Sequence, residues 1–410
     1  MYLIVLSGPT ASGKTRLAIE LAQHYKTVVV SADSRQFFRE MNIGTAKPDA
    51  EELAAAPHYF IDSHSIETAY SVGQYETEAL ELLQQLFTKH EVVILTGGSG
   101  LYLKAVCEGL DPFPEIPEAV KAGVEADFQK HGLPYLQEAL RASDPTYYQT
   151  VDLENPHRLI RALAVYRSSG KPFSSFRQNA AAGRPFNPIY LQLQWPRATL
   201  YERINHRVDL MMEAGLQQEA QALFAQRHLP ALQTVGYQEL FDHFEGKIAL
   251  EEAVELIKRN SRRYAKRQLT WFRRDGFWKL FQPHEFEQAR AYIDLCMEEN
   301  LAWAQQRHSD RTQGQLLQSD TPIAQFERTT RNGQSLSVVE LPPPQPLAWL
   351  LWHQLRLMAM EDEAAYLTTP GGLSPPDWPK VPPSAFPGWA HRQVTEKVVS
   401  PVARYRIPKV

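Results

Sequence analysis

Gly8-Pro9-Thr10-Ala11-Ser12-Gly13-Lys14-Thr15 has the spacing G-x-x-x-x-G-K-[ST]. Residue types in this order capture anions. Successive backbone N–H groups and a helix N-terminus cradle phosphate oxygens, Lys14 adds a point charge, and the Thr15 hydroxyl is placed to ligate Mg2+. The motif selects a diphosphate or triphosphate without selecting a reaction. A nucleotide hydrolase would carry an acid at the end of a second strand for its metal, yet the apolar run at 92–95 ends in Thr96-Gly97-Gly98. The acid near the phosphate loop is instead Asp33, in Ser31-Ala32-Asp33-Ser34-Arg35-Gln36. Such a carboxylate could be a general base, a metal ligand or the cap of a following helix, and the residues alone leave these open.

These groups need a scaffold, and the pattern supplies one. An apolar run at 2–6, the glycine-rich loop at 7–15, a helical stripe at Leu17, Ala18, Leu21 and Ala22, and a second apolar run at 27–30 read as β-α-β. A helix around 79–87 and the strand at 92–95 follow, and that strand runs into Gly97-Gly98-Ser99-Gly100. The order predicts a parallel sheet with helices on its faces, and ligands of such sheets bind beyond the strands' carboxyl ends. From Asp111 onward Pro112, Pro114 and Pro117 open a region of helical pattern, including 156–166. A returning strand at 189–195 and long helices at 200–224 and 249–272 complete the core. The last helix holds Lys258, Arg259, Arg262, Arg263, Lys266, Arg267, Arg273 and Arg274 with no acid among them. Positions 258, 262, 266 and 259, 263, 267 form two adjacent rows, a track for phosphates. Trp271 and Phe272 beside it either stack or pack, packing being the commoner fate.

The expected architecture is α/β: a P-loop NTPase-like core at 1–111 and 186–282, a mainly helical insertion at 112–185, and a proline-rich extension at 283–410. The stretch 331–410 contains 13 of the 29 prolines, with a linker at 341–346 and helices suggested at 347–366 and 289–303. The chain has 410 residues and 43% hydrophobic content, enough for a sizeable core. Lys+Arg 43 against Asp+Glu 47 gives a net charge of −4, so any nucleic-acid site must be a local patch. Two cysteines, Cys107 and Cys296, support neither a disulfide framework nor a four-thiolate metal site. With no signal peptide or membrane-spanning run, the expected setting is cytoplasmic.

Over about 2–282 the chain resembles the bacterial tRNA dimethylallyltransferases, also called tRNA isopentenyltransferases. The matching segments are the phosphate loop, Ser31 through Gln36, Ile43-Gly44-Thr45-Ala46-Lys47-Pro48, His58-Tyr59-Phe60-Ile61-Asp62, Gly97-Gly98-Ser99-Gly100-Leu101-Tyr102, Asn155-Pro156-His157-Arg158-Leu159-Ile160-Arg161-Ala162-Leu163, Val235-Gly236-Tyr237, and Lys266-Arg267-Gln268-Leu269-Thr270-Trp271-Phe272-Arg273. The resemblance implies transfer of the dimethylallyl group of dimethylallyl diphosphate to the exocyclic amine of the adenosine 3′ of the anticodon. It further implies that Asp33 takes the amine proton and Thr10 positions the reactants. The departing diphosphate would be held by Gly8, Thr10, Ala11, Ser12, Gly13, Lys14 and Mg2+ on Thr15. Arg207 is a further diphosphate contact or, with Arg203, part of a solvated helix face.

The implied tRNA contacts are Asp33, Ser34, Arg35, Gln36, Ser99, His157, Arg158, Arg161, Gly236, Tyr237, Arg263, Lys266, Arg267 and Arg273, in an enzyme acting as a monomer on the anticodon stem-loop. Phe38 departs from the family's more usual Tyr, Ser99 from its Thr, and His157 from other polar residues. His58 and His64 read as ordinary packed or polar histidines. Two rivals remain. A P-loop kinase of a small metabolite fits the first 30 residues but leaves the basic helix without a purpose. A catalytically silent tRNA-binding protein leaves Lys14, Thr15 and Asp33 together without one.

Overall fold

The computed structural model describes residues 1–177, 183–274, 278–307, 311–318, 321–331, 334–340, 366–369, 395–399 and 402–406. They fall into two compact units, Met1–Cys107 with Pro185–Val410, and Glu108–Arg184. In chain order the first unit opens with β1 (Tyr2–Ser7), α1 (Lys14–Tyr25), β2 (Val29–Ser31), α2 (Ala50–Ala55), β3 (His58–Tyr59), α3 (Val72–Leu86), β4 (Val92–Gly97) and α4 (Gly100–Glu108). The second unit holds α5 (Glu118–Ser143), broken at Gly132, then α6 (Pro145–Tyr148) and α7 (Pro156–Ser169). The first unit resumes with β5 (Asn187–Leu193), α8 (Arg197–Glu213), α9 (Leu216–Leu223), α10 (Tyr237–Phe244), α11 (Leu250–Arg274), β6 (Lys279–Phe281) and α12 (Phe286–Glu298).

Six parallel strands form one sheet in the order β3-β2-β4-β1-β5-β6. Leu3, Ile4, Val5 and Leu6 of β1 are all fully buried, as a central strand covered on both faces requires. Alternation assigns the faces. Ile4 and Leu6 pack with Leu17, Leu21, Leu191 and Tyr292, whereas Leu3 and Val5 pack with Tyr75, Ala79, Leu83 and Leu103. Burying each such side chain stabilises the fold by roughly 1.5–3 kcal/mol before entropy is counted. The parallel register pairs Ser7 with both Gly97 and Gln192, and Ser31 with Thr96. Four strand ends therefore finish together, and the loops that follow them share one edge of the sheet.

Several expectations change. The helix expected over 200–224 is two, because Gly215 at φ 101 ends α8 and starts α9; glycine adopts this left-handed conformation without a Cβ clash. The helix expected over 289–303 stops at Glu298, with Asn300 at φ 47 following it, and Trp303 lies in a strand. Ala289, Tyr292, Ile293 and Cys296 of α12 belong to the same buried cluster as β1 and α1, so the packed core runs past residue 282. Beyond it lie strands that the sequence reading did not foresee. β7 (Leu301–Arg307), β8 (Arg311–Gln318), β9 (Thr321–Arg331) and β10 (Gln334–Glu340) form an antiparallel sheet, and β11 (Tyr366–Thr369), β12 (Thr395–Val399) and β13 (Val402–Arg406) form another. The linker at 341–346 and most of the helix suggested at 347–366 lie outside the described residues.

The second unit is helical, with Val124, Leu136, Leu140, Leu159 and Leu163 in its core. Asp144, 1% exposed, accepts from Tyr147 N at 2.9 Å, Ser174 N at 2.7 Å and Ser174 Oγ at 2.7 Å, and these bonds tie the loop after α7 to the start of α6. Among the described residues no helix is long and apolar enough to cross a membrane.

Candidate active site

The phosphate loop links β1 to α1. Ala11 stands at φ 61, a costly conformation for a residue with a Cβ. Neighbouring elements hold it there. Arg203 Nε of α8 donates to the Ala11 carbonyl at 2.9 Å, and Trp195 Nε1 donates to the Ser12 carbonyl at 3.1 Å. The Arg203 guanidinium also lies over the Trp195 ring, 4.9 Å from its centroid. Because a trans peptide sets C=O and N–H on opposite sides, the Ser12 carbonyl held by Trp195 turns Gly13 N–H the other way. Arg203, although exposed, thus also braces the loop.

Lys14 Nζ donates to the Gly8 and Pro9 carbonyls, both at 2.9 Å. Burial pushes its pKa down to about 8, against an opposing pull from Asp33 and with a further push from Arg207. Arg207, lowered mainly by its own burial, donates to Thr10 Oγ1 at 3.4 Å. Ser12 Oγ is fully buried with no hydrogen-bond partner among the described residues. The loop therefore concentrates two cationic groups and an unpaired hydroxyl, a constellation suited to a polyanion.

Asp33 follows β2. Its Oδ1 accepts from Arg35 N at 3.0 Å, and residues 34–37 form a turn, so Asp33 makes an Asx turn and caps no helix. Its negative charge opposes the lowering of the Lys14 and Arg207 pKa values and adds to the raising of those of Tyr102 and Tyr264. Ser34 N donates to Ser99 Oγ at 3.4 Å, and Ser99 Oγ donates to Ser34 Oγ at 3.2 Å. Arg35 reaches the Ala231 carbonyl at 3.0 Å and Gln36 the Ala46 carbonyl at 3.1 Å. The turn is thereby anchored on both flanks.

The third loop, Gly98-Ser99-Gly100, lies against α11, which touches Gly98 and Gly100. Gln268 Nε2 donates to the Gly98 carbonyl at 2.9 Å, while Gln268 Oε1 accepts from Thr10 N at 2.9 Å. Trp271 covers Gly100. A Cβ at Gly98 would stand 2.3 Å from Gln268 Nε2, and one at Gly100 would stand 2.1 Å from the Trp271 ring, so both positions require glycine for close approach.

Gln268 therefore joins the phosphate loop to the loop at 98–100, a role that reading by motif missed. A signal was present: with Ile257, Ala265 and Phe272 it forms the buried stripe of α11, and a glutamine on such a stripe needs partners. Phe272 packs edge-on against Trp278 in the core, 5.2 Å between centroids.

The basic rows of α11 divide. Lys258 pairs with Asp209 at 2.8 Å and Glu255 at 3.1 Å, and Arg262 donates to Asn205. These two fasten α11 to α8. Arg259, Arg263, Lys266, Arg267 and Arg273 are exposed, and they form the surface track.

Tyr237 is fully buried, and its hydroxyl donates to Glu219 Oε1 at 2.6 Å. Glu219 in turn accepts from Ile43 N at 2.8 Å and Gly44 N at 3.0 Å. Its side chain orders the segment at 42–44 and offers no surface to tRNA. Gly236 N is held by Glu239 Oε2 at 2.8 Å.

His157, Arg158 and Arg161 are exposed on α7 of the second unit, with Arg161 over the Phe113 ring at 5.4 Å. Phe38 is buried among Met41, Leu240 and Ile257. His58 Nδ1 bonds the Ala56 carbonyl and His64 stacks on Tyr70. Among the described residues no group of three His, Cys, Asp or Glu could hold a metal ion. Thr15 stands half-buried in the first turn of α1. A divalent ion beside it would take a hydroxyl and substrate phosphate oxygens, a donor set that suits Mg2+.

The family model for IPP transferase matches residues 36–275. A tRNA dimethylallyltransferase of Christiangramia forsetii is 52% identical over 284 residues, which cover 69% of this chain and 94% of that protein. One from Cytophaga hutchinsonii is 48% identical over 298 residues, covering 73% and 98%. Among solved structures, the tRNA isopentenylpyrophosphate transferase of Bacillus halodurans matches with a TM-score of 0.55 at 34% identity, over 73% of this chain and 97% of that one. With its phosphate loop, acid turn and basic helix gathered at one edge of the sheet, the chain belongs to the IPP transferase family, the tRNA dimethylallyltransferases.

Proposed function

We propose that the enzyme transfers a dimethylallyl group from dimethylallyl diphosphate to the exocyclic amine of the adenosine 3′ of the tRNA anticodon. The observation that carries this is the Asp33 turn, in which Ser34 is bonded to Ser99 of the loop at 98–100 and the Asp33 charge acts on Lys14 of the phosphate loop. The new bond joins the amine nitrogen to the prenyl C1, the C1–O bond breaks, and diphosphate leaves with the electron pair. Asp33 accepts the amine proton, which matters because an aromatic amine is a poor nucleophile. The charge that develops on the leaving group meets Lys14, Arg207 and the loop N–H groups already in place, which lowers the barrier without reorganisation.

When bound, Mg2+ at Thr15 neutralises diphosphate charge. Thr10, fixed through its backbone by Gln268 and through its hydroxyl by Arg207, orients the reacting ends. Ser34, Arg35, Gln36 and Ser99 receive the anticodon loop. Arg263, Lys266, Arg267 and Arg273 take backbone phosphates, and His157, Arg158 and Arg161 do the same from the insertion at 112–185. A single chain supplies every group named, so the proposed working unit is a monomer.

Incubation with unmodified tRNA, Mg2+ and radiolabelled dimethylallyl diphosphate, followed by nucleoside analysis, tests the reading. Label in the adenosine 3′ of the anticodon is expected. Phosphoryl transfer from ATP with no prenyl transfer would establish the kinase instead. Asp33→Asn should retain tRNA affinity while turnover falls ~10²–10⁴-fold.

A further inference from the structure

Glu219 has no part in the proposed chemistry, yet it occupies a place on α9 that apolar residues normally take. It stands three residues after Leu216 and four before Leu223, both buried, so the three share one face of the helix. A carboxylate on such a face needs donors. Four converge on it. Oε2 accepts from Asn42 N at 3.1 Å and Ile43 N at 2.8 Å, and Oε1 accepts from Gly44 N at 3.0 Å and the Tyr237 hydroxyl at 2.6 Å. Three of these donors are consecutive backbone amides, so the carboxylate fixes the course of the chain at 42–44. That segment passes its placement on. Ala46 N donates to the Ile43 carbonyl at 3.0 Å and Thr45 Oγ1 to the Met41 carbonyl at 2.9 Å, which close the loop on itself. The Ala46 and Thr45 carbonyls accept from Gln36 Nε2 at 3.1 and 3.4 Å. Gln36 in turn grips Asp33 from both sides. Its N–H donates to the Asp33 carbonyl at 3.2 Å, and its Oε1 accepts at 3.3 Å from Ser31 Oγ, which itself accepts from Asp33 N at 3.3 Å.

We propose that Glu219, oriented by Tyr237, is a positioning residue for Asp33: through the loop at 42–46 and Gln36 it sets the turn that aims the Asp33 carboxylate at the substrate amine. This rests on the prenyl-transfer reading above and adds a residue that touches neither substrate. Every link in the path is a hydrogen bond, and a proton acceptor displaced by about 1 Å loses much of its effect on rate. The phosphate loop lies off this path, since Gln268 holds it from α11. Disturbing Glu219 therefore acts on the proton transfer and leaves diphosphate binding in place.

The test is Glu219→Gln, which keeps the side chain's size but offers one acceptor oxygen in place of two and turns an NH2 group toward two of the four donors. Steady-state kinetics on an anticodon stem-loop should show kcat lower by about 10- to 100-fold, with the KM for dimethylallyl diphosphate within about twofold of wild type. In an Asp33→Asn background the same substitution should lower kcat by less than about twofold further, because placing the base no longer matters once the base is gone. Amide hydrogen exchange, read by mass spectrometry without substrate, should speed up at 32–36 and stay unchanged at 8–15. An equal loss of kcat in both backgrounds, or unchanged exchange at 32–36, would overturn the proposal. Should Glu219→Gln fail to fold, Tyr237→Phe decides: it should lower kcat by about 2- to 10-fold in the wild-type background alone, and unchanged kcat and exchange there would overturn the proposal equally. A wild-type enzyme that fails to label the stem-loop would refute the prenyl-transfer reading, whereas the exchange arm still decides whether Glu219 holds the Asp33 turn.

Discussion

Replacing Gln268 by Leu tests whether one side chain couples the two loops at the sheet's edge. The substitution keeps volume close to constant, so cavity formation contributes little. What it removes is a donor to the Gly98 carbonyl and an acceptor for Thr10 N–H, two bonds of 2.9 Å. The Gly98 carbonyl bond is buried, and leaving that oxygen unsatisfied costs about 1–3 kcal/mol. Thr10 N–H is partly buried and costs less, so the expected loss is about 2–4 kcal/mol, a large share of an ordinary folding stability.

Urea titration measures this loss, and the KM for dimethylallyl diphosphate should rise with it, because the Thr10 backbone loses its anchor. Gln268→Glu sharpens the test. One carboxylate oxygen still accepts from Thr10 N–H, but the other confronts the Gly98 carbonyl until it is protonated. The folded state then holds its proton more tightly than the unfolded chain does. Stability relative to wild type is best below the ordinary glutamate pKa and falls as pH rises through the elevated folded value. A loss under about 1 kcal/mol in Gln268→Leu, or a deficit in Gln268→Glu equal at pH 5 and pH 8, would refute the coupling.

Lys14 carries a pH signature of the opposite sense: its folded pKa is lowered from 10.5 to about 8, equivalent to about 3 kcal/mol and nearer 1–2 kcal/mol once partial exposure is allowed for. Between those two values the unfolded chain binds the extra proton, so wild-type stability should rise with pH relative to Lys14→Met, and urea midpoints at pH 7 and pH 10 should differ by that amount; a constant gap would contradict it. Gly100→Ala forces a Cβ to within 2.1 Å of the Trp271 ring, so the helix must shift, and thermal melting should show a loss of about 1–3 kcal/mol. Converting Arg263 and Arg267 to Gln should lower the slope of log K against log salt for tRNA binding by ~0.7–0.9 for each phosphate no longer neutralised, with the KM for dimethylallyl diphosphate unchanged; an unchanged slope would assign these residues to structure.

Local pattern alone determined a good deal of this protein. The eight residues from Gly8 to Thr15 carry their own turn and helix start, and the period-2 and period-3.6 stripes of β1 and α1 depend only on neighbours in the chain. These announce a phosphate loop in an open α/β sheet, and Asp33 after the second strand falls within the same reach. Other features were decided by pairing across long stretches of chain. Gln268 meets Gly98 and Thr10, 170 and 258 residues away, only because β4 and β1 are neighbours in the strand order.

The same order puts Arg203 and Trp195 on the phosphate loop. It also divides the basic helix between residues that fasten it to α8 and residues that face solvent. Tyr237 read as a tRNA contact and is buried, because hydrophobic pattern cannot say whether a tyrosine's hydroxyl will find a carboxylate such as Glu219 in the core. A side chain's type states what bonds it can make. Its partners follow from the sheet topology, which brings distant loops to one edge before any of those bonds can form.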